Sequence, residues 1–152
     1  MRDSFFFIIG LILALALTMV TSQGGHAVLN PPWVLMVLCA WIMLQKKSMA
    51  FLLPFSLGLI MDVMLGSPLG AHALAMIVPI LTVLMLFKSA TRCGFFQKAV
   101  MIVVLTMMYQ LILVCIYGFM GMSPASYHYF LSPLTAMVVW MLMTLSFSRV
   151  KK

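Results

Sequence analysis

Acidic side chains are almost missing from this 152-residue chain: Asp3 and Asp62 are its only carboxylates, set against nine Lys and Arg and a formal charge of +7. Charged residues make up 7% of the sequence where a soluble domain carries about 25%. That leaves too little polar surface to clothe a water-soluble globule. The nine basic residues fall in four short segments without an interleaved aromatic ladder, which excludes a nucleic-acid face and favours anionic lipid headgroups as the counter-surface. The three cysteines stand at Cys39, Cys93 and Cys115, an odd number without metal-ligand spacing, so neither a disulfide framework nor a zinc site is expected. His26, His72 and His128 likewise lack a ligand spacing, and no cofactor is expected.

What is present is apolar: 65% of the residues are hydrophobic. A membrane-spanning helix takes roughly 20 such residues, so the chain has room for five or six crossings and no separate soluble domain. The expected fold is all-α, a single polytopic membrane domain over 1–152, with helices at about 4–20, 31–44, 49–65, 71–87, 99–120 and 129–147. Arg2 ahead of the run from Phe5 to Val20 has the outline of a secretory signal. A small-residue cleavage site is missing around Thr18 to Gln23, so the run is expected to stay as the first helix.

With six crossings, the N-terminus, the second and fourth connections and the C-terminus share one face, holding one, two, three and three basic residues. The other face holds none. The excess of Lys and Arg on the cytoplasmic side then places both termini inside. A five-crossing arrangement would strand Lys46 and Lys47 on the wrong side. The tight connections between helices 2 and 3 and between helices 3 and 4 suggest a three-helix antiparallel unit in the middle of the chain.

Within that unit lies Asp62, an ionisable group costing about 2.5–3.5 kcal/mol or more at membrane depth unless paired. Ser48 to Asp62 rises roughly 21 Å, which puts Asp62 in the outer third of the membrane. His72 follows the turn Gly66-Ser67-Pro68-Leu69-Gly70 by about as many residues as Asp62 precedes it, so the two should meet at similar depth. Asp62 has three readings: a pair with His72, an acceptor for turn amides at Ser67, Leu69 or Gly70, or a site for an ion, a ligand or a partner helix. The internal readings are favoured, because turn backbone inside a membrane must be satisfied from within. Gly66 and Gly70 match GxxxG, but Pro68 between them makes turn geometry the expected use. At mid-membrane, Tyr109, Gln110 and Trp140 suggest bonds between neighbouring helices more than a pathway. One intramembrane acid, no Ser or Cys nucleophile with a nearby base and no phosphate loop followed by Lys give no basis for an enzyme.

Asn30-Pro31-Pro32-Trp33 reads as a helix start, with Asn30 as N-cap, proline in the first turn and Trp33 at interfacial depth. This motif, followed by Gly58-x-x-x-Asp62-x-x-x-Gly66-Ser67-x-Leu69-Gly70 and Leu74-Ala75-Met76, resembles the MreD family of small rod-shape-determining membrane proteins. The resemblance implies a non-enzymatic scaffold of the bacterial elongation machinery in the cytoplasmic (inner) membrane. It would bind MreC and help to couple MreB filaments to peptidoglycan synthesis by RodA and its transpeptidase. Asp62, His72, Gly66, Ser67, Gly70, Asn30, Pro31 and Trp33 are then the candidates for structural or partner-binding roles. The family also looks like the substrate-binding (S-component) subunits of vitamin transporters in its six-helix architecture. The alternative is therefore a small-molecule-binding transporter subunit, with Asp62 and His72 near its site.

Overall fold

A computed structural model describes residues 2–22, 31–45, 52–86, 94–121 and 132–150. Among them are six helices: α1 (Arg2–Ser22), α2 (Trp33–Gln45), α3 (Leu52–Leu65), α4 (Ala71–Met85), α5 (Phe95–Phe119) and α6 (Ser132–Val150). The order is the one expected. Several boundaries differ: α1 begins at Arg2, and α5 begins at Phe95 rather than near residue 99. The reason at α5 is local. Gln97 Oε1 accepts the Gly94 N–H at 3.1 Å, one arm of a capping box, so the turn forms ahead of the fully apolar run.

Helix α2 is the axis of the bundle. Val34, Leu35, Met36, Leu38, Cys39, Ile42 and Met43 are all buried, and Pro31 and Pro32 ahead of it are buried as well. Prolines suit that place because they bring no N–H to an end of the helix that could not satisfy one. Pro32 instead gives its carbonyl to Met36 N at 3.0 Å. Helix α1 lies against α2, with the Phe7 and Trp41 rings in tilted contact at a centroid distance of 4.3 Å and Gly10 facing Val37.

The three-helix unit expected from the sequence takes a different form. Helix α3 packs chiefly on α4 and only lightly on α2, while α2 packs mainly on α1 and then on α4. The sequence of α2 is apolar all round, so nothing in it singles out one neighbour. Geometry at α3 decides the matter. A Cβ built on Gly58 would stand 2.3 Å from Ala73 Cα and 2.6 Å from Ala73 N, so only glycine permits α3 to lie this close to α4. Helix α5 then covers α4, and α6 covers α5 with Ala136 and Trp140 buried.

Among the described residues, large apolar side chains are also common on the exposed faces of the helices. Leu74, Val78, Leu81 and Met85 form an exposed stripe on α4, and Phe96, Val100, Val104, Met107 and Leu111 form one on α5, both at three- and four-residue spacing. Such helices have no face suited to water. By length and composition, Phe96–Phe119 is the one stretch among the described residues fit to cross a membrane alone. The described parts of α2, α3 and α4 hold 13, 14 and 15 residues. They rise about 20–22 Å against the roughly 30 Å of a hydrocarbon core.

Candidate functional site

Helix α3 ends in a Schellman turn. Gly66 takes φ 64°, and Ser67 N–H bonds back to the Asp62 carbonyl at 3.0 Å. That motif usually brings apolar side chains together at the positions held here by Asp62 and Ser67. Here the contact is polar: Ser67 Oγ donates to Asp62 Oδ1 at 2.8 Å. Helix α4 begins at Gly70, φ 95°, a conformation open to glycine and strained for L side chains, and Ala71 N–H bonds to the Pro68 carbonyl at 3.1 Å. As N-cap, Gly70 has no side chain to offer the free amides of α4.

Asp62 supplies what Gly70 lacks. Its Oδ2 accepts the Gly70 N–H at 2.7 Å, and its Oδ1 accepts the His72 N–H at 3.0 Å and His72 Nδ1–H at 2.7 Å. A carboxylate on one helix thus caps the next one, beside the positive end of its dipole. Asp62 is 0% exposed and His72 8%. Of the alternatives open from the sequence, the His72 pair and a turn amide are satisfied together. The amides differ in part: Gly70 donates to the carboxylate, Ser67 N–H goes to the Asp62 backbone instead, and the His72 amide joins as a partner the spacing did not suggest.

Asp, His and Ser in mutual contact invite comparison with a catalytic triad. Sequence spacing gave Ser67 no neighbouring base, yet the fold brings its Oγ to 3.2 Å from His72 Nδ1. The geometry is that of a cap and not of a triad. A serine nucleophile gives its proton to the imidazole nitrogen opposite the one held by the carboxylate. Here Ser67 and Asp62 both meet Nδ1, and the hydroxyl proton is directed to the carboxylate. Ser67 therefore acts as a donor that locks Asp62. No group of three His, Cys, Asp or Glu able to hold a metal occurs among the described residues.

The structure gathers Asp62, Ser67, Gly70 and His72 into one cluster, with Gly66 setting the turn. Pro31 is buried and Trp33 half-buried at the start of α2, and Asn30 lies outside the described residues. The Tyr109 ring stands 6.3 Å from that of His72, centroid to centroid, which joins α5 to the cluster. Gly58, one turn before Asp62 on the same face of α3, is the residue that sequence reasoning left without a role. Its signal was that shared face with Asp62, directed at a neighbour.

Gln110 is buried, 4% exposed, and its Oε1 has no hydrogen-bond partner among the described residues. An orphaned buried acceptor costs about 1–3 kcal/mol, more than the net worth of most hydrogen bonds. Gln110→Leu should accordingly leave the purified protein as stable or stabilise it by about 1 kcal/mol, read as the midpoint of unfolding in SDS. A large loss of stability would show that the amide is bonded after all.

The family profile of the rod shape-determining protein MreD matches residues 1–150. The chain belongs to the MreD family. MreD is a family of membrane proteins that determine rod shape, and the apolar exposed faces of the described helices agree with a membrane setting. This MreD chain is also similar to the rod shape-determining protein MreD of Haemophilus influenzae, 37% identical over 71 residues. That alignment takes in 47% of this chain and 41% of the relative, so it spans about two fifths of the relative's length. No solved structure matches the chain.

Proposed function

We propose that this MreD chain is a non-enzymatic, multi-pass scaffold of the bacterial elongation machinery in the cytoplasmic membrane. It crosses six times with both termini in the cytoplasm, binds MreC, and helps to couple MreB filaments to peptidoglycan synthesis by RodA and its transpeptidase. The observation carrying this reading is the saturation of Asp62 from within the chain by Ser67, Gly70 and His72. The one acid at membrane depth is spent on holding a hairpin, as suits a surface shaped for another protein. In this reading Gly66, Ser67, Gly70, Asp62 and His72 shape the docking surface, and Asn30, Pro31 and Trp33 are further candidates for a structural or partner-binding role. Six crossings agree with the apolar stripes on the outer faces and with nine basic residues falling on one side. The six-helix likeness to transporter S-components belongs to the same proposal.

Two measurements test it. A cysteine replacing Ser123 should react with an impermeant reagent from outside the cell, and labelling only from the cytoplasm would overturn the six-crossing topology. The purified protein should retain MreC in mild detergent. Retention of a stoichiometric small molecule with no affinity for MreC would favour the transporter-subunit alternative instead.

A further inference from the structure

The fold leaves one edge of the Asp62 cluster unused. His72 Nδ1 is committed to Asp62 and Ser67, while Nε2, on the opposite edge of the ring, has no hydrogen bond among the described residues. The side chain is 10% exposed. Asp62 holds its charge with four donors beside the start of α4, so it does not require an imidazolium as counter-charge, and a second ring proton would stand unpaired at a nine-tenths buried site. Nε2 therefore presents a lone pair.

Its depth follows from the lengths of the helices. The His72 and Tyr109 rings meet across α4 and α5. Toward the connection between these helices, α4 runs 13 residues from His72 to Met85 and α5 runs 14 from Tyr109 back to Phe95, so those ends are level. In the other direction α4 has only Ala71 left, whereas α5 continues ten residues to Phe119. Helix α5 thus overhangs the α3–α4 turn by about nine residues, roughly 14 Å. Its 25 residues, roughly 37 Å, exceed a hydrocarbon core of roughly 30 Å only slightly, which sets the turn and His72 among acyl chains. Gly66 and Leu69 of that turn are exposed, yet irregular backbone at such depth persists only where protein covers it or a water-filled cavity meets it.

We infer that a membrane helix of a partner protein covers this turn and donates a side-chain N–H or O–H to His72 Nε2. The inference rests on the scaffold reading and names the atom by which the hairpin is recognised. Acyl chains carry no donor, and the hydroxyl and ammonium donors of lipids lie in the headgroups beyond them, so the complementary group at this depth comes from protein. Leu69 and Val63, 73% and 71% exposed, offer such a helix apolar contact on the same hairpin.

The full chain, isotopically labelled at the histidine nitrogens, is studied by NMR in phosphatidylcholine nanodiscs, with His72 assigned by the signal lost in His72→Asn. Nε2 should resonate as an unprotonated imidazole nitrogen and move to lower frequency when MreC is added, as a nitrogen accepting a hydrogen bond does. His72→Asn keeps an N–H donor for Asp62 in place of Nδ1–H and has no counterpart of Nε2. It should stay folded and bind MreC about fivefold more weakly, the worth of one hydrogen bond between membrane helices. The wild-type resonance decides whatever the stability of the variant. A protonated Nε2, a resonance that MreC leaves unmoved, or full MreC affinity in His72→Asn overturns the inference and leaves the scaffold reading intact. A shift produced by phosphatidylglycerol without MreC also overturns it, and assigns the atom to a lipid hydroxyl. Failure of the wild type itself to bind MreC would remove the scaffold reading, and the inference with it.

Discussion

Gly58→Ala should destabilise the protein by about 3 kcal/mol, the upper end of what overpacking usually costs, although the same change in an open helix would stabilise by about 1 kcal/mol. The added methyl would lie 2.3 Å from Ala73 Cα and 2.6 Å from Ala73 N. These are backbone atoms of a packed helix and cannot turn aside as a side chain would. Relief requires α3 and α4 to separate, and separation pulls Asp62 away from the amides of Gly70 and His72. Two controls make the prediction sharp. Gly10→Ala, whose methyl would meet Val37 Cγ1 at an ordinary 3.9 Å, should be neutral or mildly stabilising. Ala73→Gly should not rescue Gly58→Ala, since the obstruction is the Ala73 backbone more than its Cβ. SDS-unfolding midpoints of the four proteins decide it, and a neutral Gly58→Ala would mean that the two helices are not in this close contact.

The contrast between Gly58 and Asp62 shows what the sequence can reveal about this fold. Asp62 was legible because a charge in an apolar run is costly, and because a short turn places His72 at the same depth. Gly58 was not, since its meaning lies in an absence of atoms opposite the Ala73 backbone on the next helix. The order of the helices followed from apolar runs and their breaks at Gly, Pro and Lys. The central place of α2 did not, because a helix that is apolar all round offers no moment to orient it. At the site, the turn and the acid could be read together, but the role of the His72 amide could not. Backbone donors carry no mark in a sequence, and only the φ of Gly70 brings that amide toward the carboxylate.

Asp62→Ala should be the most damaging single change at the cluster, and its neighbours should follow in an order set by the bonds each one loses. Removing the carboxylate leaves Gly70 N–H, His72 N–H and His72 Nδ1–H without their acceptor, and Ser67 Oγ with only the Asp62 backbone carbonyl at 3.4 Å. The two His72 donors are buried and each costs about 1–3 kcal/mol when unsatisfied, and the half-buried Gly70 and Ser67 groups add less, so a loss of about 4 kcal/mol is expected. Asp62→Asn keeps one oxygen, which can still serve Ser67 and His72, but turns an amide N–H toward Gly70 N–H. Its expected cost is about 2 kcal/mol, from one lost charge-assisted bond and two opposed donors. Ser67→Ala removes one donor and leaves Asp62 its other three bonds, for about 1 kcal/mol. If Asp62 is a lock, the ability of the variants to restore rod shape to cells lacking the protein falls in the same order as their stability: Ser67→Ala, then Asp62→Asn, then Asp62→Ala. A stable Asp62→Asn protein that fails to support rod shape would break that order. It would mean that the charge itself meets a ligand or a partner, and that the hairpin serves to present the carboxylate.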